Sequence, residues 1–265
     1  MKKRIIALLL VAALMISTAV CANAEENGEG ENEALVGIVA AMESEIAAIK
    51  EATEIEQTYT VAGLDFCVGQ VDQTNVVVVE CGMGKVNAAL ATQILIDRFQ
   101  VTAIINIGCA GSLNDELDIG DFVVSTEVVQ HDYDITALGY EKGEIPYIGK
   151  VSFEADANLI QVACEAIAQA APDRKVVTGR ICTGDQFIST EEQKQTIIES
   201  MGGMCAEMEG AAVGQTATVN GVPFVVIRAM SDKSNSAEDF TNYVDQVTRE
   251  GAEVVIKMLS LLNAE

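Results

Sequence analysis

"KVNAALATQILIDRFQVTAIINIG", Lys85–Gly108, decides the fold class. Its first part, Lys85–Phe99, repeats apolar residues at intervals of three and four, the pattern of a helix with one buried face. Its second part, "VTAIINIG", is a short apolar run without alternation, suited to a strand buried on both faces. A helix feeding such a strand is the repeating unit of an α/β sheet protein. The same alternation runs outward in both directions. "LVGIVA" (Leu35–Ala40) reads as a buried strand and "MESEIAAIKEA" as a helix. "LDFCVGQV" and "NVVVVEC" read as strands around a polar turn at Asp72–Thr74. Downstream, "GDFVVSTEVVQ", "KVVTGRICTG" and "VPFVVIRAM" are strands. "ANLIQVACEAIAQAA" is a helix stopped by Pro172, "STEEQKQTIIES" opens on a hydroxyl cap, and Ala237–Leu262 is largely helical. The expectation is one α/β domain over residues 35–265, with a mixed, mostly parallel central sheet flanked by helices and no internal repeat.

Composition narrows the function. The chain has 265 residues, of which 49% are hydrophobic, so it can build a sizeable core. Forty acidic residues against 16 basic ones give a formal net charge of −24. That balance excludes a nucleic-acid-binding footprint and attraction to an anionic membrane surface. At the N-terminus, Lys2, Lys3 and Arg4 precede the apolar run "IIALLLVAALMISTAV", and Ala22-Asn23-Ala24 resembles a cleavage site. Residues 1–24 are therefore expected to be a signal peptide directing export, with no stable membrane span after cleavage. A lipid anchor on Cys21 is the alternative, disfavoured by Val20. "EENGEGENEA" (Glu25–Ala34) is expected to be an acidic disordered linker. Six cysteines remain beyond the leader at wide spacings, mostly in apolar runs, and are expected to be free.

Several familiar motifs fail. "GMGK" (Gly82–Lys85) lacks the upstream glycine of a phosphate loop, and Val86 stands where a magnesium-binding hydroxyl would be. There is no G-x-S-x-G and a single histidine, His131, read as a structural hydrogen-bonding residue beside Asp132. No metal or cofactor is implied. One stretch is hard to place in an ordinary core. "CAEMEGAA" (Cys205–Ala212) sets Glu207 and Glu209 among Ala, Met and Gly. An unpaired buried carboxylate is heavily penalised, so the stretch reads as part of a site, with Glu207 structural, pairing with Arg228 or backbone amides. "AAMESEI", "NIGCAGSL", "TGDQFI" and "IRAMSDKSN" likewise put polar groups at the ends of apolar strands, where open α/β sheets bind ligands.

These segments resemble, in order, the methylthioadenosine/S-adenosylhomocysteine nucleosidases of the nucleoside phosphorylase-like superfamily. The resemblance runs from about Val36 to Leu262 through "GIVAAMESEI", "GMGKVNAA", "NIGCAGSL", "HDYDITALGYEKGEIP", "TGDQFI", "AEMEGAA" and "VIRAMSD". It implies Glu45 as the base that activates water, Asp232 as the acid that protonates adenine N7, and Glu209 as the residue holding the ribose hydroxyls. It implies that Met208 packs on the sugar, that Phe187 stacks on adenine, and that the backbone of Ile188 reads the base edge. Cys109, Ala110, Gly111 and Ser231 complete the implied substrate contacts. Ile135, Leu138 and Pro146 are implied to close the alkylthio pocket of a neighbouring subunit in a homodimer. Cys109 departs from a common Ser and Leu138 from a common aromatic. The chemistry is coherent on its own terms: anionic groups stabilise positive charge building on ribose, and an acid at N7 lets adenine leave neutral. A phosphorylase on the same fold and an exported nucleoside-binding protein without turnover are the competing expectations.

Overall fold

The computed structural model describes residues 34–235 and 237–263. The expected leader and nearly all of the linker lie outside the described residues. What is described is a mixed ten-stranded sheet with helices packed against it. β1 (Leu35–Ala40), β4 (Thr74–Glu80), β5 (Ala103–Ser112) and β10 (Phe224–Asp232) run parallel side by side, β1 between β4 and β5 and β10 on the far side of β5. Their side chains are buried almost throughout, as unalternating apolar runs require. β3 (Leu64–Val71) and β2 (Glu54–Val61) extend this half antiparallel to the edge.

The other half curls back on itself. β6 (Phe122–Gln130) pairs antiparallel with β10 and with β7 (Ser152–Glu154), and parallel with β8 (Val176–Thr183). β8 pairs with β9 (Cys205–Glu207), and β9 with the last residues of β5. Because β10 pairs with both β6 and β5, five strands close a ring, and β5 belongs to both halves.

The helices are α1 (Glu43–Ala52), α2 (Lys85–Phe99), α3 (Ala157–Ala170), α4 (Glu191–Met201), α5 (Gly210–Asn220) and α6 (Ala237–Leu262). Their ends follow local chemistry. Asp156 caps α3 by accepting from the amides of Asn158 and Leu159, and Thr190 caps α4 by accepting from Gln193. Along α6, Val247, Gly251, Val254, Val255, Met258 and Leu259 form one buried stripe on the sheet. Rings such as Phe66, Phe122, Phe153 and Phe224 fill the two faces of the core, where truncation to alanine costs about 3–5 kcal/mol. The consequence for function is where the strands stop. The carboxyl ends of β1, β5, β8, β9 and β10 all open toward one region.

Candidate active site

Each of those strand ends delivers a side chain to a single pocket. Among the residues lining it are Glu45, Cys109, Ala110, Gly111, Phe187, Ile188, Met208, Glu209, Ser231 and Asp232, ten of the positions expected from sequence. Glu45 comes from the first turn of α1, just beyond β1. Its side chain folds back over the helix start, and Oε2 accepts from the amides of Ala41 and Met42 at 2.9 Å each. Oε1 accepts from the amide of Cys109 at 3.0 Å and from its thiol at 3.5 Å. Glu45 is thus both a helix-start carboxylate and a pocket residue. Burial raises its pKa, opposed by Arg228 and these amides. The approach needs Gly108: a Cβ there would stand 2.8 Å from Glu45 Oε1.

Asp232 ends β10 next to an irregularity. The pairing with β5 shifts between Met230 and Asp232, leaving Ser231 as the extra residue. Such a bulge re-aims side chains. Asp232 Oδ2 accepts from Ser231 Oγ at 2.9 Å and Oδ1 from the amide of Ser234 at 2.7 Å. Burial raises its pKa against those two bonds. A Cβ on Gly111 would come within 2.8 Å of Oδ1, so glycine lets the carboxyl lie on the backbone.

The two glutamates of "CAEMEGAA" part company. Glu207 ends β9 and is paired with Arg228, hydrogen-bonded to Thr183 Oγ1, and held by the amides of Glu209 at 3.0 Å and Gly210 at 2.7 Å. Both expected partners, Arg228 and backbone amides, are present. Glu209 stands just before α5 and accepts from the amide of Gly84 at 2.8 Å, with Arg228 3.8 Å away. Burial, then Glu207, push its pKa up to about 7. Arg228 is 1% exposed and binds Asn106 Oδ1 at 2.7 Å. Burial works against its charge, but Glu207, Glu209 and Glu45 outweigh that and hold its pKa above the usual value.

Another side of the pocket carries Phe187, 43% exposed, whose ring meets Phe240 edge-on at 5.3 Å. Phe240, Gln186, Met42, Met83 and Ser234 also line the pocket and were not anticipated. The signal available for Phe240 was an aromatic in the first turns of an amphipathic helix, which does not say what it faces. Ile135, Leu138 and Pro146 do not line the pocket of their own chain, and Leu138 is 75% exposed. His131 departs from its expected role. Its ring is buried, yet Nε2 has no hydrogen-bond partner among the described residues and lies against Gly184.

Comparisons with known proteins place the chain in a family. Residues 35–262 match the family model of the phosphorylase superfamily. A 5'-methylthioadenosine/S-adenosylhomocysteine nucleosidase from Shewanella halifaxensis is 43% identical over 86% of this chain and 99% of its own length. The crystal structure of such a nucleosidase from Colwellia psychrerythraea 34H, in complex with adenine, superposes with a TM-score of 0.83 at 40% identity, over 87% of this chain and 96% of that one. A futalosine hydrolase of Helicobacter pylori gives 0.82 at 28% identity, over 88% and 100%. The chain therefore belongs to the phosphorylase superfamily and, within it, to the 5'-methylthioadenosine/S-adenosylhomocysteine nucleosidase family.

Proposed function

We propose that the chain hydrolyses the N-glycosidic bond of 5'-methylthioadenosine, S-adenosylhomocysteine or 5'-deoxyadenosine, releasing adenine and a ribose derivative. The observation that carries the reading is the convergence of Glu45, Glu209 and Asp232 on one pocket from three separate strand ends. Breaking the bond leaves positive charge on the ribose and negative charge on the purine. Glu45 takes a proton from the attacking water. Burial raises its pKa, against the pull of Arg228 and the amides, which makes it a better proton acceptor than an exposed carboxylate. Asp232, protonated more readily because it is buried, gives its proton to adenine N7. Glu209 accepts from the ribose hydroxyls, Met208 packs against the sugar, Phe187 stacks on the base, and Ile188 reads its edge. Cys109, Ala110, Gly111 and Ser231 surround the sugar and the water. Cys109 serves mainly through its amide, because a thiol is a weak donor.

A phosphorylase would need cationic donors for the anion. Neither Lys nor Arg lines the pocket, and a phosphate would meet Glu45. The deciding assay measures adenine release from 5'-methylthioadenosine with and without phosphate. Turnover without phosphate is expected, and strict dependence on it overturns hydrolysis. Asp232→Asn should slow release by about 10²–10⁴-fold, the usual contribution of a placed acid, while a transition-state-like inhibitor still binds. Binding without any turnover by the wild-type protein would instead make it a nucleoside-binding protein.

Two further parts of the reading rest on sequence. The basic, apolar and small-residue order of residues 1–24 supports an exported protein with a cleaved leader. Recovery of the uncleaved chain in the cytoplasm would count against it. Ile135, Leu138 and Pro146, sited away from their own pocket, support a homodimer in which each subunit closes the alkylthio pocket of the other. A monomeric mass in solution with full activity would refute that arrangement.

A further inference from the structure

Three short segments that the proposed chemistry leaves idle meet at one carboxylate. Lys85 begins α2 directly after Gly84, Asp132 follows β6, and Asp185 follows β8. Lys85 Nζ donates to Asp132 Oδ1 at 2.6 Å and to Gln130 Oε1 at 3.1 Å. The amide of Asp185 donates to Asp132 Oδ2 at 2.9 Å, and the amide of Lys85 donates to Asp185 Oδ1 at 2.8 Å. Each of the three is bonded to the other two. Two motifs without an evident job, "GMGK" and the Asp beside His131, are the halves of this clasp.

What the clasp touches gives it meaning. Gly84, adjacent to Lys85, sends its amide to Glu209 Oε1 at 2.8 Å. Its φ is +101°, and a Cβ there would stand 3.1 Å from Asp185 Oδ1, so the turn is shaped around the clasp. Phe187 and Ile188 follow Asp185 on the same loop and line the pocket. The Lys85 and Asp132 side chains are each 17% exposed, which limits solvent screening of the pair. Burial works against the Asp132 charge, but Lys85 and the Asp185 amide outweigh it and hold its pKa below the usual range.

We infer that Asp132 is a positioning residue: by holding Lys85 and Asp185 together it sets the ribose-holding Glu209 and the base-holding Phe187 and Ile188 at a fixed spacing. The inference rests on the proposed roles of those three residues. Displacing a positioned group by about 1 Å can cost on the order of 10²-fold in rate, so a two-point bridge between the sugar and base contacts is a sensitive place to perturb.

The test is Asp132→Asn, which keeps shape but turns an amide toward either Lys85 or the Asp185 N–H. On 5'-methylthioadenosine we expect KM to rise about 10-fold or more, with kcat changed less, the signature of lost ground-state binding. On the 2',3'-dideoxy analogue, which offers Glu209 no hydroxyl, the penalty should shrink to about 3-fold or less. Lys85→Met should reproduce the effect, and the double variant should be no worse than the worse single one, because the pair acts as a unit. Unchanged KM in folded Asp132→Asn protein overturns the inference, as does an equal penalty on both substrates. If Asp132→Asn does not fold, the Lys85→Met comparison on the two substrates decides by the same criteria. Glu209→Gln separates the two levels. If it leaves KM unchanged, the proposed ribose contact itself fails; if it raises KM while Asp132→Asn does not, only the clasp fails.

Discussion

Replacing Arg228 by Met should destabilise the protein severely, and the structure sets the size of the effect. Arg228 lies in β10 at 1% exposure, the largest fully buried side chain in the core. It is bonded to Glu207, to Asn106 Oδ1 at 2.7 Å and to the carbonyl of Ile227 at 3.1 Å. Met fills much of the volume but leaves Glu207 as a buried carboxylate facing Glu209 without a cation. Breaking one side of a buried ion pair costs about 3–5 kcal/mol. Asn106 also loses a partner, at about 1–3 kcal/mol if nothing replaces it. These overlap, so about 4 kcal/mol is the expected loss, against a typical total of about 5–15 kcal/mol. At about 2–4 °C per kcal/mol for a domain of this size, the unfolding midpoint should fall by roughly 8–16 °C. Urea titration of Arg228→Met and of Arg228→Met/Glu207→Gln provides the comparison. Neutralising Glu207 removes the orphaned charge, so the double variant should recover about half of the loss. A single variant within about 1 kcal/mol of wild type, or a double variant no more stable than the single, would refute the reasoning.

Two other perturbations probe the site. Glu209, pushed up to about 7 by burial and by Glu207, must be ionised to accept from two ribose hydroxyls. KM should therefore fall as pH rises through about 7, while a pH-independent KM between 5.5 and 8.5 (roughly the range over which such a group titrates) would remove Glu209 from that role. The sign for stability is opposite: the folded state holds this proton more tightly than the unfolded chain, so its contribution is complete below the ordinary value of 4.5 and is lost as pH rises through about 7. Gly108→Ala would place a methyl group 2.8 Å from Glu45 Oε1 and 3.4 Å from Arg228 Cζ. It should reduce kcat by about 10²-fold by displacing the proposed base; full activity would show that Glu45 is not held where its chemistry requires.

The alternation of helices and buried strands was legible because burial on both faces leaves uninterrupted apolar runs, as in "VTAIINIG" and "NVVVV". β2 was missed for the complementary reason. "EIEQTYTV" is exposed along almost its whole length, so it carries no buried run, and its alternation of Ile55, Tyr59 and Val61 with polar residues is broken at Gln57. Its strand state comes from β3, through a turn at Ala62 and Gly63, both with positive φ. β9, spanning Cys205–Glu207, is too short to announce itself. The carboxylates of the site stood out because they interrupt apolar surroundings. Phe240, Gln186 and Met83 carry no such contrast, and only the meeting of distant loops brings them to the pocket. His131 shows the converse: a polar residue in a suggestive setting, with a buried nitrogen that nothing in the described chain satisfies.

The charge balance of the site explains why three carboxylates can be tolerated there. Glu45, Glu207 and Glu209 surround one guanidinium; of the three, Arg228 is hydrogen-bonded to Glu207, while Glu209 stands 3.8 Å away. Glu45 and Glu209 are left under-compensated, which is why burial lifts both. The pocket therefore lacks a positive charge, and neither Lys nor Arg lines it to supply one. A ribosyl group acquiring cationic character as its bond to the base breaks provides that charge only in the transition state. At about 4 Å and an effective dielectric of about 20, one carboxylate gains about 4 kcal/mol from a full positive charge, equivalent to about 10³-fold in rate. The amides of Ala41, Met42, Cys109 and Gly84 already hold the carboxylates in place, so little of that gain is lost to reorientation. An incoming phosphate would face the same field with the opposite sign. Water, being neutral, is the nucleophile that this arrangement does not repel.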